Sequence, residues 1–269
     1  MKKKIKENTS QIRSAVILCG GKGSRLGLIG KRIPKTLMKI QKKPILWYIL
    51  NELIKNQINH FILPIGHKGD LIKKFIKEFK ANTKEELSFD VIETGINTTI
   101  SNRIFKVSHK IVSNNFLLLN GDAIFDFNLK NIIKNHVKLR LQLSLMTCKV
   151  ISNFGVVIIK KGKPVSFKRD IEYDTLSVNN NKQKGVIFTG MALINKKILD
   201  KANYKSYSNF ETNFYPKILK NNKSSYSQIS GFWYAMDNSK EIDTANKLDK
   251  KNKISMYISR LKKSFWKNK

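Results

Sequence analysis

The sequence predicts an α/β fold with a Rossmann-like, doubly wound, mostly parallel mixed sheet and a small antiparallel β flap. Apolar runs of strand length recur through the first two thirds of the chain. Amphipathic runs with helical spacing lie between them, and shorter alternating segments follow. Alternation of strand and helix is typical of a parallel sheet with helices on both faces.

The predicted strands are apolar and the predicted helices are amphipathic. The strands are SAVILC (14–19), HFILPIG (60–66), FDVIE (89–93), NFLLLNGD (115–122) and LQLSLMTC (141–148). The helices are PILWYILNELIKNQ (44–57), DLIKKFIKEFK (70–80) and NLKNIIKNHVK (128–138). Parallel sheets bind ligands at the carboxyl ends of their strands. We therefore expect the glycines after residue 19 and the NGD at 120–122 to share one edge of the sheet.

The pattern changes after about residue 150. Short strands in 153–170 and 184–199 predict an antiparallel flap, at about 150–200, that completes a pocket. We expect a basic extension at 1–13, one domain at 14–248 and a basic tail at 249–269. The tail has an amphipathic helical pattern, with Ile254, Ile258, Leu261 and Phe265 on one face. This pattern favours docking on the parent domain or another subunit over binding to a membrane surface.

Composition indicates a globular protein of the cytoplasm. The chain has 269 residues, of which 41% are hydrophobic, and its basic start is not followed by an apolar segment. No run approaches the roughly 18 apolar residues of a membrane span, so we expect no stable membrane insertion. Cys19 and Cys148 fall in predicted core strands and are interpreted as small buried side chains. The four histidines have no spacing that suggests a triad or a zinc site.

The formal net charge of +33 is the most conspicuous global feature. Only seven of the 52 basic residues are arginines, and the lysines are spread along the chain. Surfaces that clamp phosphates or read bases usually depend on arginine. We therefore expect no nucleic-acid partner, although the charge attracts anionic substrates and causes non-specific binding at low salt.

A glycine-rich stretch, AVILCGGKGSRLGLIGKRIPK (15–35), follows the first predicted strand. A Walker loop is excluded because Lys22 precedes Gly23 instead of following the last glycine. A dinucleotide fingerprint is excluded because Leu26 stands where the third glycine belongs. The remaining pattern has glycines whose backbone can approach a triphosphate and a base edge. Arg25 and Lys35 add cations for phosphate oxygens.

The motif G-G-x-G-S-R followed ten residues later by P-K resembles the signature of the sugar-1-phosphate nucleotidylyltransferases. Further segments are similar, in order, to the glucose-1-phosphate cytidylyltransferases, and the resemblance covers roughly residues 14–248. These segments are KPILWYIL (43–50), GHKGDLIKKFI (66–76), ETGINTTISNRI (93–104), NGDAIFDFN (120–128), FGVVIIKKGKPVSF (154–167) and GFWYAMDNSKEID (231–243). The T-G…R and G-F-W-x-x-M-D segments favour the cytidylyl branch over the thymidylyl and guanylyl branches. The implied fold is that of the nucleotide-diphospho-sugar transferases, and the family habit implies a homo-oligomer.

The resemblance implies attack of a sugar-1-phosphate oxygen on the α-phosphorus of a nucleoside triphosphate, with pyrophosphate leaving. The cytidylyl branch implies CTP as the favoured nucleotide. It implies Arg25, Lys35 and Asp122 as catalytic residues, and Asp122 and Asp237 as the ligands of Mg²⁺. The residues implied to bind the nucleotide are Leu18, Cys19, Gly20, Gly21, Lys22, Gly23, Ser24, Arg25, Lys35, Thr94, Thr98, Arg103 and Gly121. Those implied to bind the sugar phosphate are Lys168, Arg169, Thr189 and Gly190.

Three segments depart from the family pattern. Residues 100–103 read ISNR where the cytidylyl branch has T-G-G-R, and 168–170 read KRD where the family has E-K-P. Residues 189–191 read TGM where the family has N-G-G, so we expect Met191 to crowd a hexose. The nucleotide half of the site is thus better preserved than the sugar half, which predicts an acceptor other than plain glucose-1-phosphate.

Other functions remain open from the sequence. A guanylyltransferase for heptose- or mannose-1-phosphate shares the LNGD and FGVV features, and a thymidylyltransferase is a further alternative. A catalytically silent nucleotide-sugar-binding regulator is the alternative of another class, suggested by the altered T-G-G and E-K-P positions. A basic membrane- or nucleic-acid-binding module is the third.

Overall fold

The computed structural model describes most of the chain. The described residues are 12–152, 155–169, 171–173, 175–178, 181–200, 209–220, 223–229 and 231–247, except for the side chains of Arg25, Ile151, Leu176, Val178 and Asp200. The expected tail at 249–269 and residues 1–11 of the expected extension lie outside them.

A seven-stranded mixed sheet forms the centre of the described part. Across the sheet, the strands are β16 (Ser224–Gln228), β8 (Leu143–Cys148), β15 (Ile187–Asn195), β6 (Asn115–Asn120), β1 (Ser14–Leu18), β4 (His60–Ile65) and β5 (Ser88–Glu93). Neighbouring strands run parallel except where β15 pairs with β6 and with β8. The sheet is therefore mostly parallel, as the sequence predicts.

The remaining strands form short antiparallel pairs. They are β2 (Lys39–Ile40) with β3 (Lys43–Pro44), β7 (Ala123–Asp126) with β17 (Phe232–Ala235), β9 (Val150–Ile151) with β12 (Glu172–Tyr173), β10 (Val156–Lys160) with β11 (Lys163–Lys168), and β13 (Thr175–Val178) with β14 (Asn181–Lys184). Three of these pairs lie between residues 150 and 184.

Helices connect the strands. They are α1 (Gly27–Arg32), α2 (Ile45–Lys55), α3 (Gly69–Asn82), α4 (Ile100–Val107), α5 (Leu129–Lys138), α6 (Lys196–Asp200), α7 (Tyr215–Leu219) and α8 (Ser239–Lys247). Short 3-10 turns span Ser24–Leu26, Lys35–Leu37 and Ser108–Lys110, and a π-helical turn spans Phe210–Phe214. The three helices predicted from hydrophobic spacing are confirmed as α2, α3 and α5, with ends displaced by at most two residues.

The sheet is buried on both faces, which is why its inner strands are almost wholly apolar. Along β1, Ala15 and Ile17 join one core cluster, whereas Val16 joins the cluster on the opposite face. Helix α2 packs in the first cluster, and all its residues from Ile45 to Ile54 are buried. Helix α4 contributes Ile104 and Val107 to the second cluster. The sheet therefore holds the carboxyl ends of β1, β4 and β6 on a rigid base.

One part of the predicted flap is wrong. The segment 184–199 supplies β15, which lies in the central sheet between β6 and β8 instead of in the antiparallel flap. Its residues Met191 to Ile194 are all buried, and such a strand needs a neighbour on each edge and a packed layer on each face. Only the earlier part of the flap, up to about residue 184, consists of separate antiparallel pairs.

Both cysteines are free thiols, with Cys19 buried and Cys148 half-buried. Among the residues that the structure describes, no helix combines the length and the apolar character needed to cross a bilayer.

Candidate active site

A cavity of about 530 Å³ opens at the carboxyl ends of β1 and β6. It is lined by the end of β1, the glycine-rich loop, the start of the 3-10 turn Lys35–Leu37, the loop before α4, and the turn after β6. The lining residues are Leu18, Cys19, Gly20, Gly21, Lys22, Gly23, Lys35, Thr36, Ile96, Asn97, Thr98, Thr99, Ile100, Arg103, Asn120, Gly121 and Asp122. Ten of these were predicted as nucleotide-binding residues, and Asp122 was predicted as a catalytic residue and metal ligand, so the fold brings most of the predicted set together.

The glycine-rich loop takes a path that side chains would obstruct. A Cβ atom at Gly20 would lie 2.0 Å from Nη1 of Arg103, and one at Gly121 would lie 2.6 Å from the Leu18 carbonyl oxygen. Gly23 has φ of +61°, in the left-handed region that glycine adopts without strain. These glycines let the backbone of β1, β6 and the loop approach each other and the cavity closely.

Arg103 connects the two sides of the cavity. Its Nη2 donates to the carbonyl oxygens of Gly20 at 2.9 Å and Ile96 at 3.2 Å. Its Nη1 donates to the hydroxyl of Thr94, which itself donates to the Ile65 carbonyl oxygen at 2.7 Å. Burial lowers the pKa of Arg103. The guanidinium has no carboxylate partner among the described residues, so its charge adds positive potential to the cavity.

Thr94 and Thr98 stabilise the same loop. Thr94 is buried in contact with Arg103 and does not line the cavity. Thr98 lines the cavity, and its hydroxyl donates to the Thr94 carbonyl oxygen. The carbonyl of Thr94 also accepts a hydrogen bond from Lys106 Nζ at 2.9 Å. Thr94 therefore holds Arg103 and the loop in place, and Thr98 is the threonine that faces the cavity.

Cys19 directly follows β1 and lines the cavity. Burial raises the pKa of its thiol to about 12, against a smaller opposing effect of Thr36. The thiol is therefore protonated at neutral pH and has no nucleophilic character. Its contribution to the site is apolar shape.

Lys35 joins two carboxylates at the edge of the cavity. Its Nζ donates to Oδ2 of Asp122 at 2.7 Å and to Oδ1 of Asp237 at 2.8 Å. The Lys35 side chain is 18% exposed, whereas those of Asp122 and Asp237 are 29% and 47% exposed. Burial acts to lower the pKa of Lys35, but the two carboxylates outweigh it and raise that pKa. The two aspartates, 115 residues apart in sequence, thus converge on one cation.

Backbone pairing explains why Asp122 and Asp237 meet. Asp122 directly precedes β7, and the antiparallel ladder of β7 with β17 pairs Ala123 with Ala235. The backbone N–H of Met236 donates to the Asp122 carbonyl oxygen at 3.0 Å, which extends the ladder by one step. Asp237 follows immediately. The two carboxylates are therefore placed by the end of a two-stranded ribbon.

The start of α8 holds Asp237 from the other side. Oε2 of Glu241 accepts hydrogen bonds from the backbone N–H groups of Asp237 and, at 3.2 Å, Asn238. In return, Oδ1 of Asn238 accepts from the Glu241 backbone N–H at 3.0 Å. This reciprocal arrangement is a capping box, and it fixes the backbone that carries Asp237.

The aspartate pair is suited to a divalent cation that also contacts substrate. Within the described ranges, no group of three or more His, Cys, Asp or Glu side chains could hold a metal ion. The carboxylates of Asp122 and Asp237 already contact the same atom, Lys35 Nζ, at 2.7 and 2.8 Å. Mg²⁺ typically takes one or two carboxylates and completes its shell with phosphate oxygens and water. The residues present therefore fit Mg²⁺ bound together with a phosphorylated ligand.

The predicted sugar-side residues are not gathered in the same way. Lys168 and Arg169 are exposed at the end of β11, and neither lines the cavity. Thr189 is buried, and its hydroxyl donates to the Met146 carbonyl oxygen at 2.9 Å. Gly190 has φ of +77°, and a Cβ there would lie 2.7 Å from Nδ2 of Asn120. Gly190 thus packs against Asn120, which lines the cavity.

The expected crowding of a hexose by Met191 is wrong. Met191 is only 2% exposed and belongs to the core cluster that also contains Leu117 and Leu119. It pairs with Leu119 in the central sheet, so its side chain fills the core.

Two further signature residues lie beside the main cavity. Ser24 lines an adjacent cavity of about 460 Å³, which shares Lys22, Gly23 and Ile96 with the first. The backbone of Arg25 lies in the 3-10 turn Ser24–Leu26, and its side chain is outside the described structure.

Sequence reasoning missed six lining residues: Thr36, Ile96, Asn97, Thr99, Ile100 and Asn120. Most of them are adjacent in sequence to residues that were predicted, since Thr36 follows Lys35 and Asn120 precedes Gly121. The run from Ile96 to Ile100 lies between the predicted Thr94 and Arg103. The polar cluster INTT after a strand end was the available signal, because the loops after parallel strands line the binding edge.

A mostly parallel α/β sheet with a glycine-rich loop, two converging aspartates and a lysine at its carboxyl edge defines a phosphate-binding protein of the nucleotide-binding class. Residues 14–252 match the nucleotidyl transferase family, and the chain belongs to that family.

Curated relatives with different specificities resemble the chain. It is 29% identical over 251 residues to a probable glucose-1-phosphate cytidylyltransferase of Bacillus subtilis, covering 87% of this chain and 95% of the relative. It is 32% identical over 187 residues to a D-glycero-alpha-D-manno-heptose 1-phosphate guanylyltransferase of Campylobacter jejuni, covering 69% and 77%.

Solved structures share the fold. HddC from Yersinia pseudotuberculosis, complexed with GMP-PN, superposes with a TM-score of 0.65 at 21% identity, covering 88% of this chain and 99% of that one. The inositol-1-phosphate CTP transferase from T. maritima superposes with a TM-score of 0.63 at 16% identity, covering 94% and 97%. These likenesses confirm the fold class that the sequence predicts.

Proposed function

We propose that the chain transfers a nucleotidyl group from a nucleoside triphosphate to a sugar-1-phosphate, releasing pyrophosphate and forming a nucleotide sugar for surface polysaccharide. The observation that carries the proposal is the Lys35–Asp122–Asp237 cluster at the edge of the cavity that the glycine-rich loop lines. Family membership and the names of the curated relatives support it. CTP is the favoured nucleotide.

The reaction brings two polyanions together, so the site must neutralise charge and align an in-line attack. In the proposed mechanism, the loop from Gly20 to Gly23 lies along the triphosphate. Arg103 holds that loop through the Gly20 carbonyl. The Lys35 ammonium binds an oxygen of the α-phosphate, and Arg25 is proposed to bind the departing phosphates. Asp122 and Asp237 would hold Mg²⁺, which supplies Lewis-acid stabilisation of the developing charge when bound.

The preference for CTP rests on sequence features around the cavity. The T-G…R segment supplies Thr98 and Arg103 to the lining, and one relative, matched over 87% of this chain, is named for cytidylyl transfer. Guanylyl transfer is the second candidate, because the shorter match to the Campylobacter jejuni guanylyltransferase has the higher identity.

A pyrophosphate-release assay tests the proposal. Purified protein with Mg²⁺ is given each of CTP, GTP, dTTP, UTP and ATP with a panel of hexose- and heptose-1-phosphates. We expect turnover that requires both substrates and is fastest with CTP. Preference for GTP would overturn the cytidylyl assignment. CTP binding without pyrophosphate release with any sugar phosphate would favour the catalytically silent regulator.

Substitutions in the lysine–aspartate cluster test the mechanism. We expect Lys35→Ala and Asp122→Asn each to lower kcat/KM by about 100-fold or more, because each removes charge stabilisation at the reacting phosphate. Asp70→Asn is the matched control, since the Asp70 side chain is 96% exposed on α3 and does not line the cavity. Activity close to that of the unmodified protein in Asp122→Asn would refute the role given to this carboxylate.

We also propose that the protein is a homo-oligomer. The β10–β11 hairpin supports this, because Val157, Ile159, Val165 and Phe167 are each at least half exposed. Size-exclusion chromatography with light scattering tests it, and a monomer at micromolar concentration would contradict it.

A further inference from the structure

Lys35 occupies the position between Asp122 and Asp237 that a metal ion would need. Its Nζ lies 2.7 Å from one carboxylate and 2.8 Å from the other. These are the distances of charge-assisted hydrogen bonds. The ammonium is therefore a bound counterion of the pair and not a distant neighbour.

A divalent cation and this ammonium compete for the same carboxylates. Mg²⁺ binds carboxylate oxygens at about 2.0–2.1 Å and demands nearly octahedral geometry. A cation held by both aspartates would stand within a few ångströms of Lys35 Nζ, where like charges in a partly buried site repel strongly. Lys35 is only 18% exposed, so solvent screens that repulsion incompletely.

We propose that Lys35 is the resident counterion of the Asp122–Asp237 pair in the nucleotide-free protein, and that a divalent cation binds the pair only by displacing the Lys35 ammonium. The displaced ammonium is then available to the α-phosphate of the nucleotide. This second step rests on the proposed function, whereas the competition between lysine and metal does not. Metal and nucleotide are thereby coupled, because each favours the state in which Lys35 has left the carboxylates.

Mn²⁺ binding to the nucleotide-free protein tests the competition. Free Mn²⁺ is measured by electron paramagnetic resonance during titration of the unmodified protein and of Lys35→Met, a neutral variant of similar length. We expect Lys35→Met to bind Mn²⁺ about tenfold more tightly, within the usual range of coupling between two ligands. The variant is also expected to melt at a lower temperature in EDTA, because Asp122 and Asp237 lose their hydrogen bonds to the Lys35 ammonium, and to regain stability with Mn²⁺.

Two control variants separate displacement from a general effect of charge. Lys22→Met removes a positive charge from the lining of the same cavity, but Lys22 makes no hydrogen bond or ion pair to either aspartate. We expect its Mn²⁺ affinity to stay within about threefold of the unmodified protein. Lys35→Arg retains the charge and should bind Mn²⁺ as weakly as the unmodified protein.

Lysine reactivity gives a second measurement on the unmodified protein. Acetic anhydride acylates accessible lysine amines, and mass spectrometry quantifies labelling of the peptide that contains Lys35. We expect Mg²⁺ to increase labelling of Lys35 relative to Lys22, because displacement frees the Lys35 amine from its hydrogen bonds to the two carboxylates.

Three results would overturn the proposal: unchanged or weaker Mn²⁺ binding in Lys35→Met, equal tightening in Lys22→Met, or labelling of Lys35 that Mg²⁺ does not change. All of these measurements are made without nucleotide or sugar phosphate. A protein that failed to transfer nucleotides would therefore refute the proposed function while leaving the lysine–metal competition separately tested.

Discussion

Gly20 and Gly21 are adjacent glycines with opposite surroundings. A Cβ at Gly20 would meet the Arg103 guanidinium at 2.0 Å, whereas a Cβ at Gly21 would meet nothing within 4 Å. Arg103 is buried and bonded to the backbone on both sides of the cavity, so it cannot move aside without losing those bonds. The close approach of Arg103 therefore by itself requires glycine at position 20.

We predict that Gly20→Ala lowers the free energy of unfolding by about 1–3 kcal/mol, as overpacking against a buried group does. Gly21→Ala should change it by less than about 0.5 kcal/mol, as at other open surface positions. Urea unfolding of both variants and the unmodified protein measures this difference. Equal destabilisation by the two substitutions would show that the close approach of Arg103 to Gly20 does not constrain the loop.

At the scale of residues, the sequence predicts a set of site residues but not the contacts that they make with one another. The motif identified Lys35, Asp122 and Asp237, but their mutual hydrogen bonds join residues far apart in the chain. Arg103 was expected to contact the nucleotide, yet in the structure its guanidinium donates to backbone carbonyls and Thr94. Such contacts depend on the packing of separate loops, which local patterns do not encode.

At the scale of elements, hydrophobic periodicity predicted α2, α3, α5 and the inner strands because each buries a regular apolar face. It failed for β15, whose apolar run resembles the short strands of a flap. The sheet order that inserts β15 between β6 and β8 reflects non-local pairing, which sequence spacing does not determine.

Helix α8 provides a prediction about how an element positions Asp237, the proposed metal ligand. Glu241 caps the helix by accepting from the backbone N–H groups of Asp237 and Asn238. We expect Glu241→Ala to destabilise the protein by about 1 kcal/mol and to raise the Mg²⁺ concentration for half-maximal activity by about three- to tenfold, because the backbone of Asp237 is less firmly held. Glu241→Gln keeps an acceptor oxygen and should show smaller effects.

Asp243→Ala is the matched control for α8, because Asp243 is an exposed acidic residue of the same helix. It should leave the Mg²⁺ requirement unchanged. If it raised that requirement as much as Glu241→Ala, the effect would come from lost negative charge and not from the cap.

Helix α5 carries the titratable group with the clearest effect on stability. Burial lowers the pKa of His136 from its ordinary 6.5 to about 4. Its ring bonds to Ser144 Oγ at 2.8 Å and Asn115 Oδ1 at 3.3 Å, which links α5 to β8 and β6. Below pH 6.5 the unfolded chain gains a proton at this histidine that the folded chain does not accept until about pH 4.

We therefore predict that His136 causes a loss of stability as the pH falls from 6.5 to 4, on the order of 3 kcal/mol in total. Urea unfolding at several pH values in this range measures the slope. His136→Gln should flatten it relative to the unmodified protein, whereas His109→Gln, at an exposed histidine, should not. A slope that is identical in the two variants would exclude His136 as the source.

At the scale of the whole molecule, the net charge of +33 acts differently on two kinds of anion. A nucleotide would lie in a cavity beside the partly buried Lys35 and Arg103, where salt screens poorly. A nucleic acid would meet exposed lysines scattered over the surface, whose attraction falls steeply with salt through counterion release. The same total charge therefore predicts two different salt dependences.

We predict that RNA binding, followed by fluorescence anisotropy of a labelled oligonucleotide, is measurable at about 20 mM salt and lost near about 150 mM. CTP binding with Mg²⁺, followed by calorimetry, should weaken by less than about tenfold over the same range, because its contacts lie in the cavity. Sodium glutamate in place of chloride controls for anion-specific effects. RNA binding that persisted above about 200 mM salt would show a built nucleic-acid surface, and equal salt dependence of the two ligands would contradict the placement of the nucleotide between Lys35 and Arg103.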